Sequence, residues 1–441
     1  MTATKLTLVA GLDRTLAWRE GKSVRYLVAD LTAEGPPAAL PDAPALNLAL
    51  AIDVSGSMRG EKLAAAQRTA IAVAEALGPQ DRLSVVSFGS AVEVLLAARG
   101  MDAAGREVAV ASIRRLHIDG MTNLSGGWLQ AAEQVALAQL ADQAGTHRIL
   151  LLSDGQANEG ITDRAELARH AGELLARGLI TSCVGIGDGY DEDLLSGMAE
   201  AGGGRLHDAA EASEIDEVVL GELREGRATL VERATLRLTV PATLRAEVVG
   251  AWSHTALPGA IEVMVGSLLP DRAKRVVFRL HCPEGEAGSA FLLGLAANGA
   301  LPDANGLAEA EPMEVQLRLA SGSENNAQPR DLDRSLAVLR AWQTDVLRRM
   351  VAMNRDGDHR SATQFLQRQL GYMEPYGRGL PGAEPILAEL VMVLRHADET
   401  WSERTRKGVF AMSTQLSRGE DDLRAAAPQA MREHFEPRGR R

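Results

Sequence analysis

Leu46-Asn47-Leu48-Ala49-Leu50-Ala51-Ile52-Asp53-Val54-Ser55-Gly56-Ser57 is an apolar run that ends in one carboxylate and two hydroxyls on a tight turn. Such a run bounded by a turn reads as a buried strand. Hard divalent cations take oxygen ligands in near-octahedral array, and an aspartate followed by two serines at spacing two offers anionic and neutral oxygens from one loop. The stretch therefore predicts a Mg²⁺-type site at Asp53, Ser55 and Ser57. Two later segments extend it: Thr122, in the loop Gly120-Met121-Thr122-Asn123-Leu124, and Asp154, after the apolar run Ile149 to Leu152. Each stands where a strand or loop leads into a helix.

Outward from this stretch, residues 44–224 alternate strand and helix patterns, as in a parallel sheet covered on both faces. Strands are expected near 46–53, 82–88, 147–152, 179–185 and 204–207, with helices over 60–77, 104–116, 126–142, 163–177, 191–201 and 211–224. Leu63, Ala66, Ala70, Val73, Ala74 and Leu77 recur at three- and four-residue spacing, so the first helix packs one face on the sheet and holds the Ser57 loop. Ligands of open sheets bind outside the carboxyl ends of the strands where strand order reverses, which is where Asp53 and Asp154 are expected, with Asp154 at an open rim.

The period changes to two in Leu236, Leu238, Val240 and in Met313, Val315, Leu317, Leu319, and also before the α/β segment in Val24, Tyr26, Val28. Two or three strands alone bury too little surface to be stable. Residues 1–43 are therefore expected to pair with 225–322 in one β-sandwich into which the α/β domain is inserted. A polar linker over 321–330 precedes a helical domain over 328–424, and 425–441 reads as a flexible tail. The Gly-, Pro- and Tyr-rich segment 371–385 reads as an interhelical linker.

The five oxygen-bearing residues resemble the metal-ion-dependent adhesion site of von Willebrand factor type A domains, with its D-x-S-x-S, threonine and aspartate. The order of segments, and Leu152-Ser153-Asp154-Gly155-Gln156-Ala157-Asn158-Glu159-Gly160-Ile161, are similar to bacterial proteins of this type labelled calcium-activated chloride-channel homologues, and in part to inter-alpha-trypsin inhibitor heavy chains. The resemblance implies a Rossmann-like, doubly wound α/β fold. It also implies Mg²⁺, with Mn²⁺ or Ca²⁺ as alternatives, held by Asp53, Ser55, Ser57, Thr122 and Asp154. A partner protein's Asp or Glu would complete the coordination shell, so binding rather than turnover is implied.

Composition narrows the remaining classes. At 46 % hydrophobic and 24 % charged over 441 residues, the chain has the make-up of a globular protein, and its net charge of -12 argues against nucleic acid as partner. No apolar run reaches the ~18 residues of a membrane helix, no leader pattern opens the chain, and two cysteines in separate segments do not make a disulfide framework, which together suggest the cytoplasm. A metal-dependent hydrolase is the competing class: a strand-end aspartate can act as a phosphoryl nucleophile. That chemistry needs a second carboxylate two residues on, where Ser55 stands, and none of the nine histidines sits in a nucleophile–base motif. A membrane-associated regulator would need lipid contacts that an acidic chain disfavours. Gly185-Ile186-Gly187-Asp188-Gly189 lacks the third glycine of a dinucleotide loop and reads as a loop beside the metal site. With Asp119, Glu159, Asp163, Asp188, Asp191, Glu192 and Asp193 near the same end, the face is expected to be acidic, so that a cation would gate the approach of a partner carboxylate. The expected role is a non-enzymatic interaction or scaffold protein.

Overall fold

The computed structural model describes residues 4–35, 45–141, 145–209, 215–250, 252–270, 272–302, 306–418 and 435. Three strands, Leu46–Asp53, Thr146–Ser153 and Leu179–Ile186, are buried along their whole length. Strands buried on both faces form the middle of a helix-covered parallel sheet. The sheet runs Val92–Gly100, Arg82–Phe88, Leu46–Asp53, Thr146–Ser153, Leu179–Ile186, Gly203–Ala209, and only the first pair is antiparallel. Helices Glu61–Ala76, Ala103–Ile113 and Ile215–Ala228 cover one face through residues such as Ala70, Val73, Ile113 and Val219. Leu124–Ala141, Arg164–Ala176 and Glu192–Ala201 cover the other through Trp128, Leu167 and Leu195. Gly127 permits the close approach there, since a Cβ would lie 2.3 Å from the Phe88 ring.

From the Asp53 strand the chain moves to the Arg82 strand on one side, and returns to place the Thr146 strand on the other. The crevice between Asp53 and Asp154 is thus the point of reversal, where open sheets of this type bind ligands.

Residues on both flanks of this α/β unit share a second layer. Glu20–Glu34 pairs antiparallel with Lys274–Glu284, from Leu31 opposite Lys274 to Ser23 opposite Cys282, in a four-stranded sheet with Lys5–Leu12 and Arg245–Val249. A seven-stranded sheet built around Val231–Thr239 and Ala290–Ala300 faces it, and Leu27, Leu31 and Phe278 meet Leu236, Val263 and Leu295 in one core. Helix Leu332–Arg355 covers the outer face of the four-stranded sheet, with Val338 and Trp342 against Tyr26, Val28 and Val277, and His359–Gly377, Ala383–Arg395 and Glu403–Arg418 pack with it in the same core. Among the described residues, no helix is long and apolar enough to cross a membrane.

Three segments differ from what the sequence suggests. Val92–Gly100 is an edge strand whose Leu- and Ala-rich sequence carries little alternation; pairing with Arg82–Phe88 determines it. The polar stretch after Ala320 begins with a short helix, Gly322–Ala327, whose Ser321 and Glu324 form a reciprocal capping box. Gln328 then bonds Leu16 through both backbone groups, at 2.8 and 2.9 Å, so the segment straps the helical region to the sheets. The Gly-, Pro- and Tyr-rich segment is helical as far as Gly377, so that only 378–382 link His359–Gly377 to Ala383–Arg395, and Tyr376 packs 5.6 Å from Tyr26 with its hydroxyl donating to Asp13. Of the expected tail only Phe435 lies within the described residues, with its ring 5.1 Å from Trp401.

The edge of the α/β sheet is held by a buried carboxylate. Glu222 accepts from Ser182 at 2.6 Å and Arg148 at 3.1 Å, and lies 3.0 Å from His207. Burial alone would raise its pKa, but the hydrogen bond and charge of His207, with Arg148 and Arg205, hold it well below the usual carboxylate range. A depressed folded-state pKa gives stability that is present above the unfolded value near 4.5 and lost as pH falls through the folded value. Glu222→Gln is expected to cost about 3 kcal/mol at pH 7, because Arg148 is left buried and uncompensated. Urea unfolding should show that deficit shrinking as pH drops below the ordinary carboxylate range.

Candidate metal centre

Each ligand candidate is positioned by a distinct element. The buried strand brings Asp53 to its carboxyl end, and the chain turns at once: Ser55 N donates to Asp53 Oδ1 at 2.8 Å. A 3₁₀ turn, Gly56–Met58, then lifts Ser57 to the surface while Met58 anchors the loop in the core. Two backbone bonds, Gly56 N to Gly120 O at 3.1 Å and Asp119 N to Val54 O at 2.7 Å, tie the loop carrying Thr122 against the first. Asn158 holds that second loop by accepting from Thr122 N at 2.9 Å.

The structure brings all five residues together. Ser55 Oγ and Ser57 Oγ are 3.1 Å apart, and Ser57 Oγ donates to Asp154 Oδ1 at 2.7 Å. A Cβ built on Gly155 would meet Ser57 Oγ at 3.5 Å, Thr122 Oγ1 at 3.6 Å and Asp53 Oδ2 at 3.8 Å. Oxygens from three loops therefore surround one small space that glycine leaves open. Asp53, Ser55, Thr122 and Asp154 are buried and Ser57 is exposed, so the cup has a single wet side, with half-exposed Met121 beside it. Two carboxylates and three hydroxyls facing one gap fit the needs of a hard divalent cation. Among the described residues no group of three or more His, Cys, Asp or Glu side chains is placed for a metal. This cluster reaches five oxygens through its hydroxyls instead.

Asp154 is not at an open rim: it is 1 % exposed, because its carboxylate turns inward to Ser57 and to Lys62 of the following helix. Burial pushes the Asp53 carboxyl up, its bonds from Ser153 and Ser55 pull it down, and the charge of Asp154 adds to the rise. The cluster thus holds two carboxylates that repel each other, with Ser153 Oγ donating to Asp53 Oδ2 at 2.6 Å and Lys62 salt-bridged to Asp154. Ser153, Lys62, Gly155 and Asn158 all escape a motif-based reading. Lys62 had one signal, a cation in the first turn of the helix that the serine loop starts.

The acidic face expected around the site is mostly engaged elsewhere. Asp191 and Asp163 cap helices by accepting from Leu194 N and Glu166 N. Arg164 pairs with Asp191 and Asp193, and Arg355 of the helical region with Glu192 and Asp193. Lys407, 1 % exposed, lies 3.6 Å over the Tyr190 ring and donates to the Asp188 carbonyl at 2.7 Å. The Gly187–Tyr190 loop does flank the cluster, since a Cβ on Gly189 would lie 2.8 Å from the Asp154 carbonyl. The helical region therefore holds this loop from behind. A separate cavity lies at the junction of the α/β unit with the two sheets and the helices.

Residues 47–219 match the family model of the von Willebrand factor type A domain. Inter-alpha-trypsin inhibitor heavy chain H1 of Homo sapiens is 28 % identical over 177 residues, which covers 37 % of this chain and 19 % of that protein. An uncharacterized protein of Escherichia coli (strain K12) is 29 % identical over 184 residues, 41 % of this chain and 31 % of that protein. The match thus spans only 19 to 31 % of the length of these relatives. Among solved structures, a von Willebrand factor type A protein from Catenulispora acidiphila shares the fold with a TM-score of 0.72 at 16 % identity, over 93 % of this chain and 96 % of that one. The ArnB paralog VWA2 from Sulfolobus acidocaldarius gives 0.57 at 16 % identity, over 94 % and 99 %. Residues 47–219 thus carry a von Willebrand factor type A domain, similar to those of bacterial and eukaryotic proteins.

The two carboxylates should differ in structural weight. Asp53→Ala strands the Ser55 N–H and the Ser153 hydroxyl in the interior, at a cost of about 1–3 kcal/mol. Asp154→Ala releases Lys62, whose side chain is 34 % exposed and can turn to water. That loss should stay within about 1 kcal/mol. Chemical unfolding of both variants in chelator checks the order.

Proposed function

We propose that Asp53, Ser55, Ser57, Thr122 and Asp154 hold a divalent cation, Mg²⁺ with Mn²⁺ or Ca²⁺ as alternatives, through which the protein recognises an Asp or Glu on a partner protein. The observation that carries this reading is the convergence of Ser57, Thr122 and Asp53 oxygens on the open space at Gly155. Bound there, a cation would offer a positive coordination position to an incoming carboxylate. The chain's own residues do the rest. Ser153 and the Ser55 N–H fix the Asp53 carboxylate, and Asn158 fixes the Thr122 loop. Lys62 neutralises Asp154, and its part-exposed, flexible stem lets it leave that carboxylate and stay at the mouth of the site.

The role is that of a non-enzymatic scaffold. Asp53 is held by the Ser55 N–H and by the hydroxyls of Ser153 and Ser55. The two sheets and the helices anchor the α/β unit, and Arg355 and Lys407 join it to the helical region. A cytoplasmic setting accords with Cys183 and Cys282, both buried and unpaired.

Pull-down from native lysate with wild type and Asp154→Ala, each in Mg²⁺ and in chelator, tests the reading. A partner kept only by wild type in Mg²⁺ is the expected result, and equal retention in all four conditions would contradict it. Lys62→Met should strengthen cation binding about fivefold, the equivalent of the ~1 kcal/mol of a part-exposed ion pair. A series of thermal unfolding curves at rising Mg²⁺ measures this as a half-maximal shift reached at lower concentration.

A further inference from the structure

The segment between strand Leu179–Ile186 and helix Glu192–Ala201 touches the five-residue oxygen cluster on one side and the last helix on the other. On the first side, a Cβ built on Gly189 would lie 2.8 Å from the Asp154 carbonyl oxygen, so two backbones meet with no side chain between them. Gly187 faces Lys62, whose Nζ would lie 3.6 Å from a Cβ at that position. Lys62 and Ser57 in turn hold the Asp154 carboxylate. On the other side, the helix Glu403–Arg418 grips the same segment. Lys407 lies 3.6 Å over the Tyr190 ring and donates to the Asp188 carbonyl at 2.7 Å. Arg404 reaches Asp208 at 3.3 Å, and Asp208 accepts from the Tyr190 hydroxyl at 2.8 Å.

Cations of the helical region meet anions of the α/β unit along this contact. Arg355 pairs with Glu192 and Asp193, Arg348 with Glu200, and Arg404 with Asp188 and Asp208. Among the described residues, the buried apolar clusters of the α/β unit contain no residue of the helical region. The apolar cluster of that region runs instead to Tyr26, Val28 and Val277. Ion pairs between part-exposed side chains contribute up to about 1 kcal/mol each and are screened by salt. An interface of that make-up is the kind across which domains move.

We propose that the helix Glu403–Arg418 is an autoinhibitory clamp on the metal centre: its seating favours Asp154 on Lys62, and its release favours Asp154 on a cation. This rests on the cation reading of Asp53, Ser55, Ser57, Thr122 and Asp154. Seated, the helix fixes Gly189 against the Asp154 backbone while Ser57 and Lys62 take up the carboxylate. To coordinate a cation, Asp154 gives up Lys62 and shifts toward the space at Gly155, and a pinned Gly189 opposes that shift. The coupling is reciprocal, so whatever loosens the helix tightens the cation, and the cation loosens the helix.

Two readouts on the full chain keep the clamp and the cation reading apart: Mn²⁺ titration by electron paramagnetic resonance, and hydrogen exchange of the amides of 403–418 in chelator and in saturating Mn²⁺. Wild type should bind Mn²⁺ and exchange faster over 403–418 with it than in chelator. Lys407→Met, which removes the charge and its bond to Asp188, should bind Mn²⁺ at least about fivefold more tightly, the lower end of typical coupling between sites. Arg404→Gln, at a side chain 42 % exposed, loosens the helix without opening the interior and should move affinity the same way by about twofold. Gly189→Ala leaves every helix contact named above in place, yet its methyl meets the Asp154 carbonyl and should speed exchange over 403–418 in chelator. Mn²⁺ binding by wild type that is equal or weaker in Lys407→Met and Arg404→Gln, or exchange over 403–418 unchanged by loading, would overturn the clamp alone. Absence of Mn²⁺ binding from wild type and both variants would overturn the cation reading and the clamp with it.

Discussion

Two buried carboxylates on neighbouring strands are the constraint to which the rest of the α/β unit answers. Asp53 is wholly buried and Asp154 is 1 % exposed, and they stand at the crevice where the sheet reverses its order. Negative charges held out of water need donors or cations. Ser153 and the Ser55 N–H serve Asp53; Ser57 and Lys62 serve Asp154. The loop sequence, the first turn of the helix Glu61–Ala76 and the backbone ties to Gly120 and Val54 follow from that demand. A site so built keeps a wet opening at Ser57.

The helical region acts on this unit from the opposite side. Arg355 takes up Glu192 and Asp193, and Lys407 is buried between the Tyr190 ring and the Asp188 carbonyl. Charge that would otherwise crowd the carboxyl end of the sheet is used to dock the helices. The same loop passes within contact of Asp154 through Gly189. The carboxylate crevice and the seat of the last helix therefore share one segment of backbone.

Much of this was legible in the chain because its signals are local. Leu46 to Asp53 announces a buried strand, and D-x-S-x-S places three oxygens by covalent spacing alone. Thr122 and Asp154 stand where a loop or strand leads into a helix, and the resemblance to the adhesion-site pattern singles them out. What escaped depends on long-range register or on long side chains. Lys62 reaches Asp154 across 92 positions, and the positive φ of Arg233 arises from slippage against two other strands. The strand Val92–Gly100 is fixed by its neighbour and not by its composition. The capping box at Ser321 and Glu324 was present in the sequence, but the polar run around it reads first as a linker.

The proposed cation would sit among the oxygens around Gly155. A methyl group there would sit at ordinary van der Waals distances of 3.5 to 3.8 Å from Ser57, Thr122 and Asp53, so Gly155→Ala should fold normally while filling the space. Titration of Mn²⁺ followed by electron paramagnetic resonance, on protein stripped with chelator, compares it with wild type. One saturable site is expected in wild type, weakened at least about tenfold in Gly155→Ala with the unfolding midpoint unchanged. No saturable site in wild type, or equal binding by the variant, would contradict it.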